Sequence, residues 1–327
     1  MNDRRLRMPR LKMILNPAAD HGHARALRPD LQTQAEEQAR LRKQNGPAYE
    51  LDWVETSAPG HAIELARRAA EEGFEIVVAA GGDGTVHEVV NGLMQVGAAR
   101  RPLLGVIPIG SGNDFAYNLG IPHNPIKALG CLFDPRSRSV DAGFIKSDTG
   151  REAYWDNTVG IGFSGAVNIA TRRLERWRGF TMYLIAVLQT ILFRPPHLRA
   201  RLEIDGDPPF EEAISMLSLC NGPREGGGFA VAPEARMDDG LLTYTIMRKM
   251  GRLNMLRFLP IVMNGKHLRF TRFFKSGTAR RIHVKTDETM AIHTDGEVFG
   301  PWEAGIREVE VSIIPAALRV LCGGQGD

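Results

Sequence analysis

The sequence predicts two domains of different class: a doubly wound α/β domain over residues 1–138, then an antiparallel, β-sandwich-like domain over 139–314. Three observations predict it. Apolar runs of strand length alternate with helical stripes through about residue 135, the pattern of a parallel sheet covered by helices. Two of those runs end in glycine-rich loops that carry an aspartate. Past Val140 the pattern changes to short strand-like runs at hairpin spacings. At 327 residues the chain also exceeds the size at which one core usually stays undivided.

The elements follow in order. Leu11–Leu15 is a short apolar strand ended by Asn16-Pro17, and a polar, Ala- and Arg-rich helix then runs to Asn45, closed by Gly46-Pro47. Tyr49–Val54 alternates as a strand does. Ala62, Leu65, Ala66, Ala69 and Ala70 form a helical stripe that Gly73 stops. Ile76–Ala80 and Leu103–Pro108 are two further apolar strands. In the second half the predicted strands are Tyr154–Thr158, Leu198–Ile204, Glu212–Cys220, Leu241–Ile246, Arg280–Lys285, Met290–Thr294 and Val309–Ile313. One or two helices are inserted near Arg172–Phe193 and Leu253–Met263. Residues 315–323 are expected to return to the first domain, with Leu318–Cys322 as an added strand.

Composition narrows the class. With 43% hydrophobic and 24% charged residues the chain reads as an ordinary globular protein. Cys131, Cys220 and Cys322 are scattered without metal-like spacing, which suits buried thiols in a reducing cytoplasm. Basic Met1–Arg10 is followed by no apolar segment of signal-peptide type. The longest apolar stretch, Phe180–Phe193, falls short of the roughly 20 residues that span a bilayer. The net charge of +3 is unevenly spread: Leu241–Thr286 holds eleven basic residues and no acid, and Arg172, Arg173, Arg176 and Arg178 form a second cluster. Such blocks suit an anionic partner, a nucleic acid or an acidic membrane surface, or else are solvated faces.

The most informative stretch is Ala79–Asn91. An apolar run ends in Gly81-Gly82-Asp83-Gly84-Thr85, and Val86, Val89, Val90, Leu93 and Met94 then mark one face of a helix. A glycine loop between a strand and a helix N-terminus lets a ligand approach bare backbone, and the helix dipole suits a phosphate. A second loop, Gly110-Ser111-Gly112-Asn113-Asp114-Phe115-Ala116, follows the next strand. In an open α/β sheet, loops at the carboxyl ends of neighbouring strands line one crevice. Asp83 and Asp114 then suit a divalent ion such as Mg²⁺ beside substrate phosphates; Asp114 is also read as the cap of a helix starting at Phe115.

Two later motifs, Arg236-Met237-Asp238-Asp239-Gly240-Leu241 and Thr294-Asp295-Gly296-Glu297, read as turns. In the second, Glu297 stands just past the turn, where it can serve as a general base. Of the nine histidines, only His21 and His23 are spaced like a metal pair, in a loop. Gly-x-Ser-x-Gly and Gly-x-x-x-x-Gly-Lys-Ser/Thr motifs do not occur, which argues against hydrolases of that type and P-loop enzymes.

Taken with Asn16-Pro17, these motifs resemble the diacylglycerol kinase catalytic family, including the soluble bacterial lipid kinases similar to sphingosine and ceramide kinases. They run in family order along almost the whole chain. The first glycine motif is shared with nicotinamide-dinucleotide kinases and phosphofructokinases; Asn113-Asp114-Phe115 and Asp295-Gly296-Glu297 make the likeness specific. The resemblance implies a Rossmann-like nucleotide-binding domain, with the active site in a cleft between the domains. It implies that ATP meets Asn16, Thr56, Gly81, Gly82, Asp83, Gly84, Thr85, Val86, Gly110, Ser111 and Asn113. Asp83 and Asp114 organise phosphates and catalytic Mg²⁺, Asp239 with the carbonyls of Arg236 and Leu241 holds a structural Mg²⁺, and Glu297 accepts the proton of the lipid hydroxyl. Ser111 departs from the commoner threonine but keeps the hydroxyl, and Asp20-His21-Gly22 departs from the usual small and basic residues.

The implied activity is ATP- and Mg²⁺-dependent transfer of the γ-phosphate to a lipid alcohol, diacylglycerol first. A sphingoid base, phosphatidylglycerol or a glycolipid or isoprenoid alcohol are the alternatives, because apolar grooves are permissive. The apolar Phe180–Phe193 helix is expected to line the acyl groove, and the basic second domain to touch an anionic membrane from the cytoplasm. A homodimer is compatible with this reading, and no nucleic-acid motif appears. Competing readings are a kinase for a soluble nucleotide or sugar, and a non-catalytic nucleotide- or lipid-binding regulator.

Overall fold

The computed structural model describes residues 8–45, 49–134, 136–174, 177, 179–193 and 197–322, and contacts divide the chain into two compact units, Met1–Val140 with Ala317–Asp327 and Asp141–Ala316. The predicted helix stop at Gly46-Pro47, and Arg176 and Arg178 of the smaller basic cluster, lie outside the described residues.

The first unit alternates strands and helices: β1 (Arg10–Leu15), α1 (His23–Asn45), β2 (Glu50–Glu55), α2 (His61–Glu71), β3 (Ile76–Gly81), α3 (Asp83–Met94), β4 (Leu103–Pro108), α4 (Asp114–Asn118) and α5 (Pro125–Leu132). The strands are parallel in the order β4-β3-β1-β2, with Met13 beside both Trp53 and Val78 and Gly81 beside Pro108. Leu11, Met13, Leu15, Val78, Ala80 and Ile107 enter one core with Leu31 and Ala35 of α1 and Leu129 and Leu132 of α5. Parallel strands covered on both faces need continuous apolar runs, which is why these segments were legible. Asn124 caps α5, its Oδ1 accepting from the N–H of Ile126 (3.0 Å) and Lys127 (3.1 Å), with Pro125 at the first helical position.

The second unit contains β5 (Ser137–Ser147), β6 (Glu152–Trp155), β7 (Thr158–Gly162), α6 (Phe163–Thr171), α7 (Gly179–Phe193), β8 (Leu198–Ile204), β9 (Phe210–Cys220), β10 (Leu242–Arg248), α8 (Arg252–Met263), β11 (Phe274–Ala279), β12 (Arg281–Thr286), β13 (Ile292–Thr294), β14 (Glu297–Gly300) and β15 (Glu308–Leu321). β5 starts before and β15 ends beyond the bounds of this unit, and Val320 of β15 pairs in parallel with Leu104 of β4. The antiparallel path runs β14-β13-β7-β9-β8-β12-β15, with β10 joining β9 to β11 and β5 joining β6 to β15.

β9 organises this unit. Its side chains alternate, so Leu217 and Leu219 enter a core with Trp155, Val159, Ile161, Val284 and Ile292. Met216 and Cys220 face the opposite way, into a second core with Val167 of α6, Val187 and Ile191 of α7, and Met255 and Phe258 of α8. The near-continuous apolar character of α7 fits a helix pressed against a sheet. Its last residues are nonetheless exposed, Phe193 at 75%.

Four expectations need correction. Tyr154–Thr158 is not one strand; β6 and β7 are separated at Asp156-Asn157, whose backbone N–H groups turn toward Asp295. The predicted strands Val309–Ile313 and Leu318–Cys322 are one strand, β15 (Glu308–Leu321), with Ala316 in the left-handed region (φ 48°). β5 and β11 were not anticipated, because Arg138, Asp141 and Lys146 break the first pattern and Lys275, Ser276 and Gly277 the second. Asp114 does not cap α4: Asn113 holds that position (φ 51°), and Asp114 is the first helical residue. The three cysteines are free and buried, and no helix among the described residues is long and apolar enough to cross a membrane.

Candidate functional site

In the first unit, the loops after β1, β3 and β4 are knitted together by hydrogen bonds. Asn16 donates its backbone N–H to Ala80 O (2.9 Å) and its amide to Thr85 Oγ1 (3.1 Å). Thr56, just past β2, donates its N–H to Leu15 O (2.9 Å). In the β4 loop, Asn113 closes a local ring: its Oδ1 accepts from Gly110 N–H (3.0 Å) and its amide donates to Gly110 O (2.6 Å). Ile109 N–H donates to Gly81 O (2.7 Å), tying this loop to the preceding one.

Two glycines set how closely these loops meet. A Cβ on Gly110 would stand 2.6 Å from Gly82 Cα, and one on Gly82 would stand 3.3 Å from Gly110 Cα. Only glycine at both positions lets the backbones touch, and bare backbone at a helix N-terminus is what a phosphate chain requires. The cradle therefore fits a nucleotide. Gly81, Gly82, Gly84, Thr85 and Val86 surround the start of α3, and Ser111 is exposed on the facing loop.

Asp83 and Asp114 share this place. Asp83 Oδ1 accepts from Phe115 N–H (3.3 Å), joining the two acid loops directly. Burial pushes the Asp83 carboxyl up to about 7, and the charge of Asp114 pushes the same way. The backbone N–H groups of Phe115, Asp114 and Asn113 only partly offset this. A carboxylate raised by burial and a like charge is relieved by a cation, and hard carboxylate oxygens suit Mg²⁺.

The second unit holds the later motifs. Asp295 (φ 51°) and Gly296 (φ 85°) form the tight turn between β13 and β14, and both left-handed positions match the twist of a two-residue hairpin. The Asp295 carboxylate reaches the β6–β7 junction: Oδ2 accepts from Asp156 N–H (2.9 Å), and Oδ1 from Asn157 and Thr158 N–H (both 2.8 Å). Glu297 opens β14, side chain half-exposed, 3.7 Å from the Arg172 guanidinium. An accessible carboxylate just past a turn has the chemistry of a proton acceptor.

Asp239 is exposed, and its Oδ1 accepts from Leu241 N–H (3.0 Å). Arg236 pairs with Asp238 at 3.5 Å through its exposed guanidinium. The turn is anchored by a residue that sequence reasoning missed. Buried Asp141 accepts from Gly240 N–H through Oδ2 and from Ala316 N–H through Oδ1, both at 2.7 Å. An acid inside the apolar run Val140–Phe144 was the available signal. His293 was missed too: its Nδ1 accepts from Gly296 N–H (3.3 Å), and burial holds the ring down at about 4, keeping it neutral.

Comparison with known proteins agrees with the geometry. The diacylglycerol kinase catalytic domain profile matches residues 10–145, and the YegS C-terminal NAD kinase beta sandwich-like domain profile matches residues 157–322. The chain is 30% identical to the diacylglycerol kinase of Mycobacterium tuberculosis over 97% of its own length and 96% of that protein. It is 31% identical to the diacylglycerol kinase of Bacillus subtilis over 80% of its length and 83% of that protein. A Chromohalobacter salexigens protein named "Probable lipid kinase YegS-like" is 39% identical, over 61% of this chain and 62% of that one. In fold, a diacylglycerol kinase crystal structure from Bacillus anthracis superposes with a TM-score of 0.68 at 20% identity, covering 96% of this chain and 97% of that one.

Proposed function

We propose that this chain, which belongs to the diacylglycerol kinase catalytic-domain family, is a lipid kinase that moves the terminal phosphate of ATP to a lipid hydroxyl, with diacylglycerol the first substrate to try. The observation that carries the reading is the loop pair of the first unit, where Gly82 and Gly110 touch and Asp83 stands beside Asp114 with a raised carboxyl. Likeness to diacylglycerol kinases over nearly the full chain supports the lipid as acceptor.

The residues divide the work. Asn16, Thr56, Gly81, Gly82, Gly84, Thr85, Val86, Gly110, Ser111 and Asn113 cradle and orient the nucleotide. Asp83 and Asp114 would hold Mg²⁺, which when bound offsets phosphate charge in phosphoryl transfer. Glu297 takes the proton as the lipid hydroxyl attacks the terminal phosphorus, and ADP leaves. Asp239, with the carbonyls of Arg236 and Leu241, would hold a second, structural Mg²⁺ on the turn that Asp141 anchors. Lys249, Arg252, Arg257 and Arg269 favour an anionic bilayer, each worth about 1 kcal/mol when well placed at the surface.

The test is transfer of labelled phosphate from ATP across a lipid panel in mixed micelles, with Glu297→Gln as the blank. Wild-type transfer to at least one lipid that the variant does not support is the expected result. Transfer to a water-soluble acceptor without micelles, and to no lipid, would overturn the reading.

A further inference from the structure

The second unit encloses a cavity between its sheet and its helices, with about 520 Å³ of empty space including its mouth. Its walls are apolar almost throughout, among them Phe163, Tyr183, Ile191, Met216, Phe229 and Phe258. That lining suits an apolar chain. A small buried hydroxyl interrupts the apolar wall. Ser164, at the start of α6, is 2% exposed, lines the cavity, and its Oγ has no hydrogen-bond partner among the described residues.

A second orphan stands beside it. His293 is 3% exposed, and its Nε2 likewise has no partner among the described residues. Both atoms crowd over Gly160 of β7: a Cβ there would lie 2.1 Å from His293 Nε2 and 2.2 Å from Ser164 Oγ. Because Nδ1 accepts from Gly296 N–H, the neutral ring carries its proton on Nε2. The spot therefore presents two donors, an imidazole N–H and a hydroxyl, and a buried unpaired donor costs about 1–3 kcal/mol. Of the two, Ser164 lines the cavity, and what satisfies a hydroxyl donor at an apolar wall is an acceptor oxygen borne by an apolar chain.

We propose that Ser164, with His293 beside it over Gly160, forms a carbonyl-reading subsite, so that the lipid acceptor is one whose chain is joined by an ester or amide rather than a carbonyl-free alcohol. This rests on the lipid-kinase reading. α6 packs against the β13–β14 hairpin that carries both His293 and Glu297, so the subsite and the proton acceptor share one framework. Glu225 also lines the cavity; a carboxylate attracts an amine, and it supplies the rival outcome, preference for a sphingoid base.

The experiment compares a diacylglycerol with the dialkyl ether of the same chain length, and a ceramide with the corresponding sphingoid base, in mixed micelles. The ester and the amide should exceed their carbonyl-free counterparts in kcat/KM by about 10- to 100-fold, the scale of one or two hydrogen bonds lost by the analogue. Ser164→Ala should bring the ester-to-ether ratio close to one, mainly through KM for the ester, and Ser164→Thr, which keeps the hydroxyl, should retain the preference. Circular dichroism melts verify that both variants fold. Equal use of ester and ether by the wild type, an unchanged ratio in Ser164→Ala, or a preference for the sphingoid base overturns the subsite while leaving a lipid kinase. Transfer to no lipid at all overturns both.

Discussion

The two units use the same dipeptide for opposite ends. Asp83-Gly84 opens a helix in the first unit, where burial and Asp114 raise the carboxyl to about 7. Asp295-Gly296 makes a hairpin turn in the second, and its carboxylate accepts three backbone N–H groups at 2.8–2.9 Å. A carboxylate occupied by backbone donors fixes shape. Asp83, raised first by burial and further by a like charge despite its own backbone donors, is ready for a cation. The difference lies in what surrounds each acid, since the dipeptide itself is identical.

The largest test of that contrast is catalytic. Asp83→Asn should lower phosphate transfer by about 10²–10³-fold, the scale for losing a group that organises charge at the reacting centre. Because the change also removes the repulsion from Asp114, the melting temperature should hold or rise. Glu297→Gln should cost about 10²–10⁴-fold in kcat, the usual worth of a general base. Thermal melts beside initial rates separate the two effects. If Asp83→Asn unfolds the protein, Asp83 is structural and the contrast fails.

Asp295→Ala should do the reverse. It leaves the N–H groups of Asp156, Asn157 and Thr158 without their acceptor, at about 1 kcal/mol or more each, so about 3 kcal/mol of stability should vanish. Denaturant midpoints measure this. Whatever protein remains folded should transfer phosphate at a rate near that of wild type. A variant of unchanged stability and no activity would place Asp295 in the chemistry.

These acids also mark where the sequence was readable. The apolar runs of β3 and β4, each ending in glycines and an aspartate, announced strand, loop and helix within a few residues of one another. Strands buried on both faces write themselves plainly. The β6–β7 break did not, because Asp156-Asn157 turns toward a carboxylate far along the chain. Asp141 was hidden for the same reason: its partners, Gly240 and Ala316, are distant in sequence. The place of Glu297 just past a turn was legible from its motif, but the meeting of Ser164 and His293 was not, since only the fold brings both over Gly160.

His293 offers a smaller test, through pH. Burial lowers its pKa from 6.5 to about 4, while the nearby Asp295 charge pulls weakly the other way. Between those values the unfolded chain binds a proton that the folded chain refuses. Its contribution is thus whole above about pH 6.5 and shrinks as pH falls, by about 2 kcal/mol at pH 5. His293→Gln should flatten the stability profile between pH 7 and 5, measured by denaturant titration. An unchanged slope would mean that the ring is protonated in the fold.

The smallest expected effect probes the cradle. Gly110→Ala places a methyl 2.6 Å from Gly82 Cα and 2.8 Å from Asn113 Oδ1, so the two loops must part. Backbone cannot yield as a flexible side chain does, and on the proposed reading the loops serve the nucleotide while the acceptor cavity lies in the other unit. KM for ATP should therefore rise about tenfold, the equivalent of about 1.4 kcal/mol of lost binding, with KM for the lipid unchanged. Steady-state kinetics with each substrate varied in turn decides it. A rise in lipid KM alone would mean that the Gly82–Gly110 contact serves the acceptor, and the division of labour between the units would have to be redrawn.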